Sequence, residues 1–230
     1  MTLHGLILAG GNGSRLAADG VETPKALVEI AGRPQIVHLT ETFVDLGCAS
    51  VTCMVREGIQ FSSPPQAQVR SCRTPSSLHT LAEGLAVVPP GPVFCAMVDT
   101  VMPAADWRRL YDGVTDHLAA GALAVLAVTP FVDDERPLYV TRDAAGLAVD
   151  ISDHLNPPPL VTGGVYGFSP AARRVAADAV RTLPRMRAFL RLLVRRGGPV
   201  ATVEVPRIID LDHKRDLEAA AAWLAVVVPS

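Results

Sequence analysis

Short apolar runs alternate along the chain with longer segments whose apolar positions recur every three or four residues. The runs at 5–9 (GLILA), 50–55, 92–98, 122–130, 160–170 and 199–210 predict buried strands. Between them lie helical stripes. Residues 34–47 put Ile36, Thr40, Phe43 and Val44 on one face, with Gly47 as a stop. Residues 76–88 align Leu78, Leu81, Leu85 and Val88 behind a serine start, and residues 104–118 align Trp107, Leu110, Tyr111, Val114 and Leu118. Further helices are predicted over 170–183, 185–196 and 213–227, and a hairpin over 137–152, turning between Asp143 and Gly146. Strands alternating with helices predict an α/β fold: a Rossmann-like α/β/α sandwich with a mostly parallel central sheet and helices on both faces. No repeat, low-complexity segment or linker divides the 230 residues, so one domain over 1–230 is expected, with 137–170 as a lid-like subregion.

The composition supports a large core, with 49% hydrophobic and 19% charged residues. A net charge of −2 without a basic block argues against nucleic acid as a partner. No leader pattern and no apolar run of membrane-spanning length occurs, so a soluble, cytoplasmic protein without a membrane partner is expected, as a monomer or homodimer. Cys48, Cys53, Cys72 and Cys95 form no CxxC pair and read as small hydrophobes. Lysine occurs only at 25 and 214, which restricts any lysine chemistry to two positions.

The first strand runs into "LILAGGNGSRLAADGVETPKALVEIAGRP" (6–34). Gly10, Gly11 and Gly13 follow a strand end, where backbone N–H groups can approach phosphate oxygens without a Cβ in the way. A dinucleotide fingerprint would need a third glycine where Leu16 stands, and a helix starting at once where a polar, irregular stretch (17–33) is expected. A P-loop would need Gly-Lys-Ser/Thr where Gly13-Ser14-Arg15 stands. Arg15 and Lys25 instead place two cations near the loop, which suits a polyphosphate under attack, since such transfers need positioning and charge stabilisation.

In full, "LAGGNGSRL…TPKALVEIAGRP" resembles the signature of the sugar-phosphate nucleotidyltransferases. The resemblance implies a GT-A-like nucleotidyltransferase fold. It implies that Leu8, Ala9, Gly10, Gly11, Asn12, Gly13 and Ser14 hold the nucleotide, while Arg15 and Lys25 act on the α-phosphate, Arg15 also on the departing pyrophosphate and Lys25 on the incoming phosphate. "RTPSSLHTL" (73–81) stands where that family reads base and ribose, which nominates Thr74, Ser76 and Ser77; Ser76 or Ser77 is equally a helix cap. Asp99, after "FCAMV", matches the family's first metal-binding aspartate. "IIDLDHKRDLEAA" (208–220) matches its closing carboxylate segment, giving Asp212 as second ligand, Asp210 as fallback and Asp216 as a helix-start acid. "VTGGVYGFSP" (161–170) resembles the acceptor strand and nominates Thr162, Gly163 and Gly164. Upstream, Asp153-His154 stands where many members carry Glu-Lys-Pro, so His154 is either an acceptor-site cation or an ordinary surface or core histidine.

The resemblance thus implies transfer of an NMP from Mg²⁺–NTP, with Mn²⁺ as the alternative ion, to a phosphorylated sugar, cyclitol or small alcohol, with pyrophosphate released. The alternatives are a small-alcohol or cofactor cytidylyltransferase and a non-catalytic nucleotide-binding regulatory subunit. A dehydrogenase of the dinucleotide-binding kind is disfavoured by the loop spacing.

Overall fold

The computed structural model describes residues 1–155 and 157–227. Strand β1 (His4–Ala9) leads through the glycine loop into a short helix α1 (Ser14–Ala18), a single turn at Lys25–Leu27, and a small hairpin, β2 (Glu29–Ile30) and β3 (Arg33–Pro34). Then come α2 (Gln35–Asp45), β4 (Val51–Arg56), β5 (Ala67–Cys72), α3 (Ser77–Val87), β6 (Val93–Met97), β7 (Thr100–Val101), α4 (Ala104–Ala119) and β8 (Ala124–Thr129). The hairpin β9 (Tyr139–Arg142) and β10 (Ala148–Ser152) precedes β11 (Val161–Phe168), α5 (Pro170–Ala179), α6 (Met186–Arg195), β12 (Val200–Glu204), β13 (Ile209–Asp210) and α7 (Lys214–Val227).

The main sheet runs β5, β4, β1, β6, β11, β8, β12, with the β9–β10 hairpin joined to β11 at Val161. The pairs β5–β4, β4–β1, β1–β6 and β8–β12 are parallel, while β11 is antiparallel to both β6 and β8. Every strand from β5 to β12 except β11 therefore points the same way. Helices α2 and α4 cover one face, where Phe43, Phe94, Trp107 and Tyr111 pack ring against ring, the Phe43 and Phe94 centroids 5.0 Å apart. Helices α3, α5 and α6 cover the other. The stripes read from the sequence at 76–88 and 104–118 are buried.

Four local details differ from the sequence expectation. A helix does start at once after Gly13, but it lasts only from Ser14 to Ala18. β5 was not foreseen: it is an edge strand with exposed polar residues, so it lacks the apolar run that marks the others. The strand expected over 199–210 breaks after Glu204, because Pro206 has no N–H for a ladder, and the chain resumes as β13 against β7. The Ser76 side chain accepts no capping bond from the α3 backbone and pairs with His79 Nδ1 instead, at 2.9 Å.

Cys53, Cys72 and Cys95 are buried, Cys48 is half-buried, and all four are free thiols. Burial pushes the Cys53 thiol up to about 11. Among the described residues, no helix is long and apolar enough to cross a membrane.

The α3–β1 contact is tight enough to test. At an open helix position Gly→Ala stabilises by about 1 kcal/mol. A Cβ on Gly84 would lie 2.7 Å from Leu6 Cδ1 and 3.0 Å from Met54 Cγ. Overpacking costs about 1–3 kcal/mol, so Gly84→Ala should lower the urea midpoint. A raised midpoint would show that this interface has room to spare.

Candidate active site

The parallel strands deliver their following loops to one edge of the sheet, where α/β folds bind ligands. β1 ends at Ala9, and its neighbour β6, with Met97 opposite Leu8, ends two residues before Asp99. Gly13 is left-handed, at φ 61°, and a Cβ there would sit 3.2 Å from Lys25 Cβ, so glycine lets the Lys25 turn lie against the loop. Gly10 packs as closely: a Cβ would be 2.9 Å from Thr80 Oγ1 and 3.2 Å from Cys72 Sγ. Gly11 faces open space.

Asp99 and Asp212 meet because β7 pairs with β13, with Thr100 opposite Asp210. The Leu211 N–H also donates to the Asp99 carbonyl at 3.0 Å. Into this junction comes Lys25, whose Nζ lies 2.7 Å from Asp99 Oδ2 and 2.7 Å from Asp212 Oδ1. Arg15 Nη1 pairs with the other Asp212 oxygen. The Lys25 side chain is only 11% exposed. Burial pulls the Lys25 ammonium towards a lower pKa, but the carboxylates of Asp99 and Asp212 outweigh it, and the net shift is upward. Asp216 holds the Asp212 loop at the start of α7: its Oδ2 accepts the N–H groups of Asp212, at 3.0 Å, and His213, at 2.6 Å.

Asp210 lies beneath this cluster. Burial, then the nearby Asp99 carboxylate, raises its pKa well above the usual carboxylate range, against the opposing effect of Lys25. Its Oδ1 is buried without a hydrogen-bond partner. Among the described residues, no group of three or more His, Cys, Asp or Glu side chains is arranged to hold one ion. Two carboxylates with the orphaned Asp210 oxygen behind them are hard donors that fit a divalent cation such as Mg²⁺, whose usual sites combine one or two carboxylates with phosphate oxygens.

Three clefts meet here. The first, about 220 Å³, is lined by Leu8, Ala9, Gly11, Gly13 and Ser14 together with Arg15, Lys25, Asp99 and Asp212. The second, about 610 Å³, shares Leu8, Gly11 and Met97 with it and adds Gly10, Asn12, Thr74, Ser76, Ser77 and Thr80. Here Thr74 Oγ1 lies 2.6 Å from Thr80 Oγ1, and Thr80 Oγ1 donates to the Ser76 carbonyl at 3.2 Å, which pins the loop to α3. The third, about 150 Å³, opens between Asp99, Asp210, Thr162, Gly164, Tyr166 and Arg187. It lies where β11 is irregular between Thr162 and Tyr166. Gly164 is left-handed at φ 73°, a Cβ there would be 2.7 Å from Thr100 Oγ1, and one on Gly163 would collide with Ile208.

Of the sequence nominations, Leu8, Ala9, Gly11, Gly13, Ser14, Arg15, Lys25, Asp99 and Asp212 thus converge on the first cleft, while Gly10 and Asn12 join Thr74, Ser76 and Ser77 in the second. Thr162 and Gly164 line the third, whereas Gly163 packs against Ile208 beside it. His154 is not brought in: it is exposed and lines none of these clefts, and its N–H donates to Ser152 Oγ at 3.0 Å. The cation that reaches the third cleft is Arg187 of α6, tethered to Asp153 at 2.8 Å. Sequence reading missed Arg187, as it missed Arg56 and Arg73 of the second cleft. The signal for the last two was their position at strand ends, Arg56 as the last residue of β4 and Arg73 immediately after β5.

Replacing Lys25 tests the charge cluster. Lys25→Met leaves Asp99 and Asp212 without the ammonium between them and should cost about 1–3 kcal/mol, after discounting for partial exposure. Because the folded pKa is raised, the wild-type contribution is complete below the unfolded value and fades as pH climbs through the folded one. The wild-type advantage over the variant in urea melts should therefore persist from neutral pH to about 10 and shrink only above that. Equal midpoints at pH 7 would contradict the pairing.

Residues 5–194 match the MobA-like NTP transferase domain. The chain is 27% identical over 240 residues to the bifunctional protein GlmU of Heliobacterium modesticaldum, a match covering 95% of this chain and 51% of that protein, so it spans about half the length of that relative. A shorter match, 48% identical over 50 residues, covers 22% of this chain and 14% of the mannose-1-phosphate guanylyltransferase catalytic subunit beta of Drosophila melanogaster. In fold, the chain superposes on the inositol-1-phosphate CTP transferase of T. maritima with a TM-score of 0.77 at 13% identity, over 100% of this chain and 98% of that one. With the glycine loop, its two cations and the strand-end carboxylates in one place, the chain belongs to the MobA-like NTP transferase family.

Proposed function

We propose that this protein is a nucleotidyltransferase that moves an NMP group from an NTP to a phosphate monoester and releases pyrophosphate. The observation that carries this reading is the junction of Lys25, Arg15, Asp99 and Asp212 at the mouth of the glycine loop. The loop from Leu8 to Ser14 seats the nucleotide, with the triphosphate in the first cleft and the base in the second. Arg15 and Lys25 offset the negative charge that gathers as an anionic acceptor approaches the α-phosphorus. Asp99 and Asp212, with Asp210 behind them, are the residues that would hold a divalent cation. When bound, that cation supplies Lewis-acid stabilisation of the phosphate oxygens. No general base is required of the chain, because a phosphate monoester is already anionic near neutral pH.

The acceptor lies in the third cleft, and the 137–170 region with β9, β10 and β11 supplies that side of a single domain. Thr162, Tyr166 and Asp134 offer hydroxyl-binding groups there, and Arg187 a positive charge. This combination suits a phosphorylated polyol, a sugar 1-phosphate or a cyclitol phosphate. The names of the mannose-1-phosphate guanylyltransferase and of the inositol-1-phosphate CTP transferase support the same two classes.

Pyrophosphate release with Mg²⁺, each common NTP and a panel of sugar, cyclitol and amino-alcohol phosphates tests the proposal. One NTP–acceptor pair should turn over. With that pair, Arg15→Ala and Asp99→Asn should each reduce kcat roughly 10²–10³-fold while the folded protein remains intact by circular dichroism. Near-normal turnover in either variant would overturn the assignment of roles.

A further inference from the structure

We infer that Arg56 and Arg73 read the nucleotide base, and that the base they select carries a ring carbonyl oxygen, which excludes adenine. The inference rests on the reading of the second cleft as the base site. β4 and β5 are parallel neighbours with Arg56 opposite Cys72, so Arg56 and Arg73 emerge side by side at the carboxyl edge. Both line the 610 Å³ cleft, and among the described residues neither side chain makes a hydrogen bond or ion pair; the Arg56 carbonyl accepts the Ile59 N–H at 3.1 Å.

Of the other polar side chains of that wall, Thr74, Ser76 and Thr80 are committed to hydrogen bonds, which leaves the neutral Asn12 and Ser77. Thr74 and Thr80 share a hydrogen bond, Thr80 also donates to the Ser76 carbonyl, and Ser76 is bonded to His79. No aspartate or glutamate lines the cleft. The two guanidinium groups therefore dominate its recognition chemistry, and a guanidinium only donates. Its parallel N–H groups match adjacent acceptors, such as O6 and N7 of guanine, or a single carbonyl of uracil, thymine or cytosine. Adenine has no carbonyl: its N7 can accept one N–H, but the N6 amino group beside it would meet the second donor of the fork head-on. Leu8 and Met97 supply an apolar floor for the ring. A purely phosphate-binding role is less economical, because the phosphate cations Arg15 and Lys25 stand in the adjoining cleft.

Calorimetric titration with Mg²⁺ and GTP, UTP, dTTP, CTP, ATP or inorganic tripolyphosphate separates the possibilities. At least one carbonyl-bearing NTP should bind roughly tenfold or more tightly than ATP. The Arg56→Ala/Arg73→Ala variant should lose that gap while binding tripolyphosphate as the wild type does. Both side chains are exposed and unpaired, so the melting temperature of the ligand-free variant should not move. Arg73→Lys, which keeps the charge but not the planar fork, should also narrow the gap. ATP binding as tightly as the best other NTP would overturn the inference. So would a gap that survives the double substitution, or a uniform loss that includes tripolyphosphate. If no NTP binds more tightly than tripolyphosphate, the base-site reading itself fails, and the inference with it.

Discussion

The site depends on one ammonium group. Lys25 stands between Asp99 and Asp212, which are far apart in sequence and would otherwise face each other as like charges. Two unit charges 4 Å apart interact by about 4 kcal/mol at an effective dielectric of 20, comparable with a sizeable part of a domain's net stability. Arg15 adds a second positive charge on the outer Asp212 oxygen. Asp210, half-buried beside them with its Oδ1 fully covered, escapes the repulsion differently, since its raised pKa favours the neutral acid. Under the proposed function, an arriving triphosphate and acceptor would enter a centre whose cations are already held in place by carboxylates. Reorganising that centre needs only an exchange of partners, not the ordering of free side chains.

Strand direction explains how so many distant residues share this edge. β4, β1, β6, β8 and β12 run the same way, so the segments after them, at 56, 10–15, 99, 129–137 and 205–212, all open on one side. β11 runs opposite to its neighbours, and it is therefore its beginning, Thr162 to Gly164, that reaches the same edge. A fully parallel sheet would have put those residues at the far end. The single reversed strand is what sets the third cleft beside the first, the placement that the proposed acceptor and nucleotide sites require.

Most of the fold was legible because its strands and helices are long and buried, and their apolar periods are strong. What escaped was short or exposed: β7 and β13, two residues each, and the polar edge strand β5. A two-residue bridge leaves no period to read, yet it is the β7–β13 bridge that joins Asp99 to Asp212. In the site, Arg15, Lys25, Asp99 and Asp212 were legible because each sits in a linear motif at a strand end or in the loop that follows. Arg187 was not, because only the packing of α6 against β10 and the pull of Asp153 bring it to the third cleft. The same packing leaves His154 outside, although its neighbour in sequence is the residue that tethers the arginine.

The polar junction rests on a small apolar cluster of its own. Ile30, Val101, Ile209, Leu211 and Ala220 pack together, apart from the two large layers on the faces of the main sheet. Ile30 follows the Lys25 turn by a few residues, Val101 comes two after Asp99, and Leu211 immediately precedes Asp212. Lys25, Asp99 and Asp212 are thus each tied by a short length of backbone to an apolar anchor, and the anchors pack against one another. That arrangement resolves a conflict between packing and charge. Three carboxyl groups and two cations cannot be close-packed at low cost, because the charged ones need solvent or a ligand oxygen within reach. Placing the apolar side chains one step along the chain lets hydrophobic burial fix the spacing of the charges while the charges themselves stay at the cleft.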